Sequence, residues 1–254
     1  MAEPTDPLPE LSLRLREAGA EELAALVREH ANELDPQAVR QALRNVHCTA
    51  EVTEEIAAQS RLLSFYEVRR DLALHPRTPE LLSLRFVPGL YWRDLLALGC
   101  DTRLRPTLRQ AADLQLGVRL PQMAQGEKVS LARRASAGVL SQLRYDPSPR
   151  VIAAVLDNPR LTEVLLAPAV ARTSTPPAVL ALIASDRRWG VRYGLRVALA
   201  RNPSTPVEIA WRILGTLRRS DLQPVATDPR CSEPVRRRAR VLLEEGRGVL
   251  KGAP

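Results

Sequence analysis

Aromatic residues are scarce in this sequence: its 254 residues include 2 Phe, 4 Tyr and 3 Trp, together 4% of the chain. Sandwiches and barrels of β-strands rely on aromatic and β-branched side chains, so this scarcity argues against an all-β fold. Long apolar runs are also absent, and no stretch of about 18 apolar residues exists that would cross a bilayer. We therefore expect no membrane span.

Cysteine, histidine and glycine are equally sparse, with 3, 3 and 12 residues. Cys48, Cys100 and Cys231 lie too far apart for a disulfide framework or a zinc-ligand pair. No zinc-protease, P-loop or dinucleotide-binding motif occurs, so we predict no metal, no cofactor and no enzymatic activity. The first ten residues lack the basic and apolar regions of a secretory signal, which predicts a cytoplasmic protein.

His47 and Cys48 are adjacent and superficially resemble a base and its nucleophile. Neighbouring side chains on a helix point about 100° apart, so adjacency does not bring the two groups into hydrogen-bond contact. We therefore favour a structural role for both residues.

Positive charge is concentrated in the second half of the chain. The formal net charge is +8, yet residues 1–60 hold 12 acidic and 5 basic residues, whereas residues 130–254 hold 10 acidic and 21 basic residues. Nearly all basic residues are Arg, whose planar fork of donors suits carboxylates and phosphates. A GC-rich genome also encodes Arg in place of Lys, and we favour this compositional explanation.

An internal repeat is the strongest pattern in the sequence. Residues 45–116 align without a gap on residues 172–243, at a constant offset of 127, and more than a quarter of the 72 aligned positions are identical. The aligned residues include the turn sequences His-Pro-Arg-Thr-Pro at 75–79 and Asn-Pro-Ser-Thr-Pro at 202–206. We predict two tandem copies of a unit of about 127 residues, a third of which matches the length of a HEAT or armadillo helical pair.

The repeat divides the chain into five segments. The two helical-repeat copies are separated by a unique stretch and flanked by short ends. We predict an N-terminal extension over 1–17, a first copy over 18–116, a connecting turn and bridging helix over 117–144, a second copy over 145–243 and a C-terminal tail over 244–254.

Apolar residues recur at helical spacing between the turn sequences, as at Leu23, Leu26 and Val27. Sustained alternation of apolar and polar residues, typical of strands, is absent. The pattern predicts an all-α protein with, among others, helices over 20–34 and 127–144.

Thr-Pro pairs predict where two of the helices begin. A threonine hydroxyl at the N-cap accepts a free backbone N–H of the first turn. Proline suits the first helical position because its missing N–H would have no partner there. Thr78-Pro79 and Thr205-Pro206 are therefore expected to start helices.

The second copy contains the stretch from Thr175 to Asp186, the pair Val191-Arg192 and the turn sequence at 202–206. Together these resemble a bacterial helical repeat, the leucine-rich repeat variant, which is close to HEAT repeats. It implies an α-solenoid, a right-handed superhelix of HEAT-like helical pairs.

An Asp followed eight residues later by an Arg of the next helix also resembles the HEAT signature. The two pairs are Asp101 with Arg109 and Asp228 with Arg236. The resemblance implies that each pair ties neighbouring repeats together.

Arg188, Arg192 and Arg196 are spaced by four residues, which on a helix places them in one stripe beside Trp189 and Tyr193. Such a stripe would grip phosphates and stack on bases. The alternative, which we favour, is that the arginines pair with aspartates of neighbouring repeats while Trp189 fills the core. Two further candidate binding residues, Arg236 and Arg240, belong to the last helix, where a solvated end cap is the favoured interpretation.

We predict a non-enzymatic scaffold that binds another macromolecule, with a protein as the favoured partner, since stacked helices present an extended concave surface. The alternative is a nucleic-acid-binding protein that uses an Arg-rich face. Its special case is a DNA glycosylase, because some glycosylases for alkylated bases consist of HEAT-like repeats. A scaffold that touches acidic membranes is a third hypothesis, for which no anchor or lipidation motif occurs.

Overall fold

The computed structural model describes residues 7–251, with the side chains of residues 10–245. Every regular element in this part of the chain is helical and no strand occurs in it, which confirms the prediction of an all-α protein. Two short 3₁₀ turns, Val87–Gly89 and Leu120–Gln122, accompany 18 α-helices. The helices are α1 (Pro7–Glu17), α2 (Ala20–Glu29), α3 (Pro36–Arg44), α4 (Ala50–Ala58), α5 (Ser60–Leu63), α6 (Tyr66–Leu74), α7 (Glu80–Phe86), α8 (Trp92–Cys100), α9 (Pro106–Arg119), α10 (Gln125–Ala132), α11 (Ala137–Leu143), α12 (Pro149–Leu156), α13 (Glu163–Ala171), α14 (Pro177–Ser185), α15 (Tyr193–Arg201), α16 (Val207–Leu214), α17 (Arg219–Thr227) and α18 (Glu233–Lys251).

None of the helices in residues 7–251 combines the length and the apolar character that crossing a membrane requires.

The chain divides into two compact units, residues 1–118 and residues 119–254. In the first unit α1 packs on α3, α3 on α6 and α6 on α8, while α2 packs on α4. Several helices of this unit therefore pack on a helix that is not their immediate neighbour in the chain. Leu23, Leu72 and Leu95 lie in the resulting core and have no solvent exposure.

The second unit contains two series of helices that alternate along the chain. In one series α10 packs on α12 and α12 on α14; in the other α11 packs on α13, α13 on α15 and α15 on α17. Leu131, Val151, Leu166 and Leu195 are fully buried in this unit. Burial of such a side chain stabilises the fold by about 1.5–3 kcal/mol.

Some helices of the two units begin and end at positions that differ by the 127-residue offset of the sequence alignment. The offset relates α4 to α14, α6 to α15 and α8 to α17 at both of their ends. Residues that are 127 positions apart thus occupy the same places on these helices.

The prediction that Thr78 and Thr205 cap their helices is wrong. Both helices start after the proline, at Glu80 and Val207, and neither threonine accepts a helical N–H. The Thr205 hydroxyl instead donates to the Leu199 carbonyl at 2.7 Å, so it closes the preceding helix. The proline is extended and its own carbonyl accepts the first helical hydrogen bond, which leaves the threonine one residue too early to act as a cap. Side chains that do cap helices in the described residues are Asp35, Thr49, Ser136 and Thr162.

The single helix predicted over 127–144 is in fact two helices, because α10 ends at Ala132 and α11 starts at Ala137 under the Ser136 cap. The helix predicted over 20–34 likewise ends early, at Glu29. The periodicity still identified the buried side chains, since Leu131, Ala135, Val139 and Leu143 are all at most 1% exposed.

Candidate binding surfaces

Buried asparagine side chains hold the loops that follow several helices. Asn158 is fully buried, and its amide donates to the carbonyls of Ala132 and Ala135 at 2.6 and 3.2 Å. Its oxygen accepts the Arg160 N–H at 2.7 Å. One side chain thus satisfies three backbone groups, which binds the loop to the end of an earlier helix. The same set of bonds is made by Asn45 and Asn202.

Tyr193, a predicted binding residue, has a structural role of the same kind. Its hydroxyl donates to the carboxylate of Asp221 and accepts the Arg218 N–H at 3.0 Å. The phenol therefore joins the starts of α15 and α17. The equivalent bonds in the first unit, 127 residues earlier, connect Tyr66 with Asp94 and with the N–H of Tyr91.

Asp228 does not pair with Arg236, as the resemblance to HEAT repeats implied. Its carboxylate meets Arg230 at 2.9 Å and Arg201 at 3.3 Å. The hydrogen bond from Arg230 holds the pKa of this carboxyl well below its usual range. Arg236 pairs with Glu233 of its own helix. Arg230 lies two residues after Asp228 in the same loop. Its contact with the aspartate replaces the expected contact with Arg236.

Asp101 shows the same departure from the expected pairing. It meets Arg103 at 2.7 Å, and this hydrogen bond lowers the pKa of the carboxyl, whereas the charge of Arg109 contributes only a minor effect. The Asp–Arg spacing of eight residues therefore marks no direct ion pair in either unit.

The predicted stripe of Arg188, Arg192 and Arg196 does not lie on one helix. Arg188 is in the loop after α14, Arg192 is the N-cap of α15, and only Arg196 lies within α15. Trp189 is 2% exposed, and its indole N–H donates to the Leu156 carbonyl at 3.0 Å. Because the ring is buried, it is not available to stack on a base.

Cation–π contacts, rather than helical spacing, organise the arginines of this loop. The Arg188 guanidinium lies 4.5 Å from the centre of the Trp189 ring and donates to the Leu161 carbonyl at 3.3 Å. Arg196 lies 5.5 Å from the centre of the Tyr193 ring. The rings hold these guanidinium planes in set orientations.

Arg236 and Arg240 both interact with Glu233, the second at 3.7 Å, and Arg240 also donates to the Ala226 carbonyl at 3.3 Å. Their positive charge is therefore partly compensated within α18. This pairing favours an end-cap role over ligand binding.

A groove of about 880 Å³ opens in the first unit, between the α3–α4 loop and the α6–α7 loop. Its rim carries two apolar side chains that face solvent, Val46 at 90% exposure and Leu81 at 85% exposure. Arg77 also lines it, and Arg105 lies at its edge in an ion pair of 2.9 Å with Glu80. We did not single out Val46 and Leu81 from the sequence, since neither belongs to a buried helical pattern.

A second groove, of about 720 Å³, is also lined by residues of the α6–α7 loop. Val46 and Arg77 line both grooves, and the second adds Arg44 and Arg103. Of the arginines in the two linings, Arg103 and Arg105 are already paired, with Asp101 and Glu80.

Cys48 lines both grooves as a buried thiol. Burial raises the pKa of its thiol to about 11, so the thiol is protonated at neutral pH. The sulfur contacts the Thr49 carbonyl at 3.8 Å. Among the residues whose side chains are described, no group of three or more His, Cys, Asp or Glu is placed to hold a metal ion.

No protein-family model matches the chain, and no curated protein or solved structure is significantly similar to it.

Proposed function

We propose that the chain is a non-enzymatic helical-repeat scaffold that binds another protein. The observation that carries this proposal is the groove of the first unit, where Val46 and Leu81 are exposed beside Arg77. Exposed apolar side chains gathered at a concave site are typical of protein-binding surfaces.

The fold assigned in this proposal is an α-solenoid of HEAT-like helical pairs in two tandem copies. The shared positions of α4 and α14, of α6 and α15, and of α8 and α17 support it. So do the hydrogen bonds of Tyr66 and Tyr193, which recur at the same 127-residue offset. A stack of such repeats buries one continuous core and leaves its loop edges free to bind.

The chemistry of the groove selects an apolar and acidic partner segment. Burial of Val46 and Leu81 against apolar side chains of the partner stabilises the complex by about 1.5–3 kcal/mol for each fully covered residue. Arg77 is exposed and forms no ion pair with the described residues, so a carboxylate of the partner would be its first counter-ion. The partner segment therefore combines Leu-like anchors with Asp or Glu.

A display library of random peptides of about 15 residues, selected on the full chain, tests the proposal. We expect the enriched peptides to combine apolar and acidic residues. The affinity of these peptides should fall at least about tenfold with the variant Val46→Asp/Leu81→Asp. In the complex each new carboxylate would be buried against the apolar anchors of the peptide, and burial of an unpaired charge costs free energy.

The matched control is Val164→Asp, which alters a residue of the second unit that is 82% exposed. It should leave the affinity of the peptides unchanged. Circular dichroism and the thermal midpoint would show that all variants fold. A selection that yields no binders, or binders that tolerate the groove variant, contradicts the proposal.

A further inference from the structure

A set of arginines lines one edge of the second unit, separate from the groove. Four loops form this edge, and they connect α10 to α11, α12 to α13, α14 to α15 and α16 to α17. They comprise residues 133–136, 157–162, 186–192 and 215–218.

Direct hydrogen bonds place these loops side by side. Each loop is joined to the next by a bond across the edge, so the four form a continuous row. The bonds are Arg160 Nη1 to the Arg134 carbonyl at 3.2 Å, Arg188 Nη2 to the Leu161 carbonyl at 3.3 Å, and the Arg218 N–H to the Tyr193 hydroxyl at 3.0 Å, directly after the third loop.

Eight arginines belong to this row, which we name the arginine edge. Against them the four loops hold two carboxylates, Asp157 and Asp186, and the first turns of the helices that follow add Glu163 and Asp221. The Asp186 carboxylate already accepts the backbone N–H groups of Arg188 and Trp189, at 2.8 and 2.9 Å. The arginine edge consists of Arg133, Arg134, Arg160, Arg187, Arg188, Arg192 and Arg218 of the loops and Arg219, the first residue of α17.

Most of the charge of the arginine edge is not compensated by ion pairs. Seven members form no ion pair with a residue whose side chain is described: Arg133, Arg160, Arg187, Arg188, Arg192, Arg218 and Arg219. Elsewhere in the same unit basic residues do meet carboxylates, as Lys128 meets Asp146 at 3.1 Å and Arg230 meets Asp228 at 2.9 Å. A run of uncompensated positive charge raises the local concentration of anions and attracts polyanions most strongly.

The first unit shows that the repeat does not require this charge. Arg188 has an equivalent 127 residues earlier, Arg61, which donates to the Leu34 carbonyl just as Arg188 donates to that of Leu161. The arginine at this position, Arg61 or Arg188, therefore has a structural role in both units. Four other members replace neutral residues at the same offset: Arg187 replaces Ser60, Arg192 replaces Phe65, Arg218 replaces Tyr91 and Arg219 replaces Trp92.

Aromatic rings orient two of the guanidinium groups before any ligand arrives. Arg188 lies over Trp189 and Arg218 lies over Tyr193, 5.0 Å from the ring centre. Each guanidinium has five N–H donors, so the contacts already made leave donors for a ligand. This preorganisation reduces the entropy lost on binding.

We infer that the arginine edge binds the phosphodiester backbone of a nucleic acid. Guanidinium groups match the geometry of phosphate, and a row of them matches a chain of phosphates better than a single anion. Packed helices lie about 8–10 Å apart, so the three spacings between four loops extend over about 24–30 Å. This length corresponds to roughly seven to nine nucleotides of one strand at about 3.4 Å per phosphate.

Fluorescence anisotropy with a labelled single strand and a duplex of about 20 nucleotides, across a salt series, tests the inference. The test variant is Arg187→Glu/Arg192→Glu, since neither side chain makes a structural bond with the described residues. We expect a loss of affinity of at least about tenfold and a salt slope reduced by about two, because each phosphate contact contributes about 0.9 to the slope.

The matched control is Arg150→Glu/Arg237→Glu, which changes the net charge equally at two exposed residues outside the edge. It should weaken binding less than about threefold, since charges beyond about 10 Å are largely screened at 0.1 M salt. Equal losses of nucleic-acid affinity for the two variants would show that only the net charge of the protein matters. That result would overturn the inference.

Two more results bear on the inference. Absence of binding to either nucleic acid at low salt, or binding to vesicles of anionic lipid alone, overturns it. The groove variant Val46→Asp/Leu81→Asp should retain its affinity for nucleic acid. The proposal of a protein-binding groove and the inference of a nucleic-acid-binding edge can therefore be tested separately.

Discussion

The hydroxyl of Tyr66 donates a hydrogen bond of 2.5 Å to the carboxylate of Asp94. The same oxygen accepts the N–H of Tyr91 at 2.8 Å. One phenol therefore joins the start of α6 to the start of α8. Burial, followed by the bond to Asp94, raises the pKa of Tyr66 to about 12.

We expect Tyr66→Phe to lower the free energy of unfolding by about 1–2 kcal/mol, because the Asp94 carboxylate and the Tyr91 N–H lose a partner. Urea unfolding at pH 7 measures the change. Tyr91→Phe is the control: it also removes a hydroxyl, but Tyr91 is 65% exposed and a change within about 0.5 kcal/mol is expected.

The same hydrogen bond makes the free energy of unfolding depend on pH in the alkaline range. The folded pKa of Tyr66 lies above the unfolded value of about 10, so the stability from this group is complete below pH 10. It is lost as pH rises from about 10 to about 12. The difference between wild type and Tyr66→Phe should therefore shrink by pH 11, and a difference that stays constant would contradict the assignment.

Asn158→Ala should lower the free energy of unfolding by about 2–4 kcal/mol, since it leaves two carbonyls and one N–H without their buried partner. Thermal unfolding followed by circular dichroism gives the comparison. Asn32→Ala, at an exposed position of the first unit, should change stability by less than about 0.5 kcal/mol. Similar effects of the two changes would contradict the role of Asn158 in joining the loops.

Trp189→Ala should lower the free energy of unfolding by about 3–5 kcal/mol, because it leaves a cavity and removes the hydrogen bond to the Leu156 carbonyl. The control, Trp211→Ala, changes a tryptophan that is 47% exposed, so its effect should be much smaller. Denaturant unfolding of both variants measures the two costs. A mild effect of Trp189→Ala would mean that its ring is available at the surface after all.

Cys48 and Cys231 should react slowly with a thiol reagent in the folded protein at pH 8. Burial raises the pKa of both thiols, that of Cys48 to about 11, so only roughly one Cys48 thiol in a thousand is ionised at that pH. Cys100, which is less buried, should react first, and Cys100→Ser should remove the fast phase. All three should react rapidly in denaturant; three fast thiols in the folded state would contradict the burial.

The all-α character and the buried faces of helices could be read from the sequence. Leu131, Ala135, Val139 and Leu143 illustrate this, since helical periodicity is local and needs no knowledge of distant residues. Helix boundaries were less predictable: a loop at 133–136 divides a pattern that continues on both sides of it. The Ser136 cap and the packing of α10 and α11 on different helices determine that break.

The candidate sites were predictable only in part. Sequence spacing identifies Arg188 and Arg192 as candidates, but places them in a helical stripe, because spacing by four residues predicts an uninterrupted helix. Burial of Trp189 against Leu156 separates that ring from any ligand, and no local signal distinguishes a buried tryptophan from an exposed one.

The helical fold class and the uneven charge follow from the amino-acid sequence alone, because composition and periodicity are local properties of the chain. Which side chains share a surface depends on how the helices pack. Val46 and Leu81 come to one groove, and Arg133, Arg160 and Arg218 to one edge, through packing between helices that are distant in sequence. Such long-range contacts depend on how whole helices bury their apolar faces, which short sequence patterns do not encode.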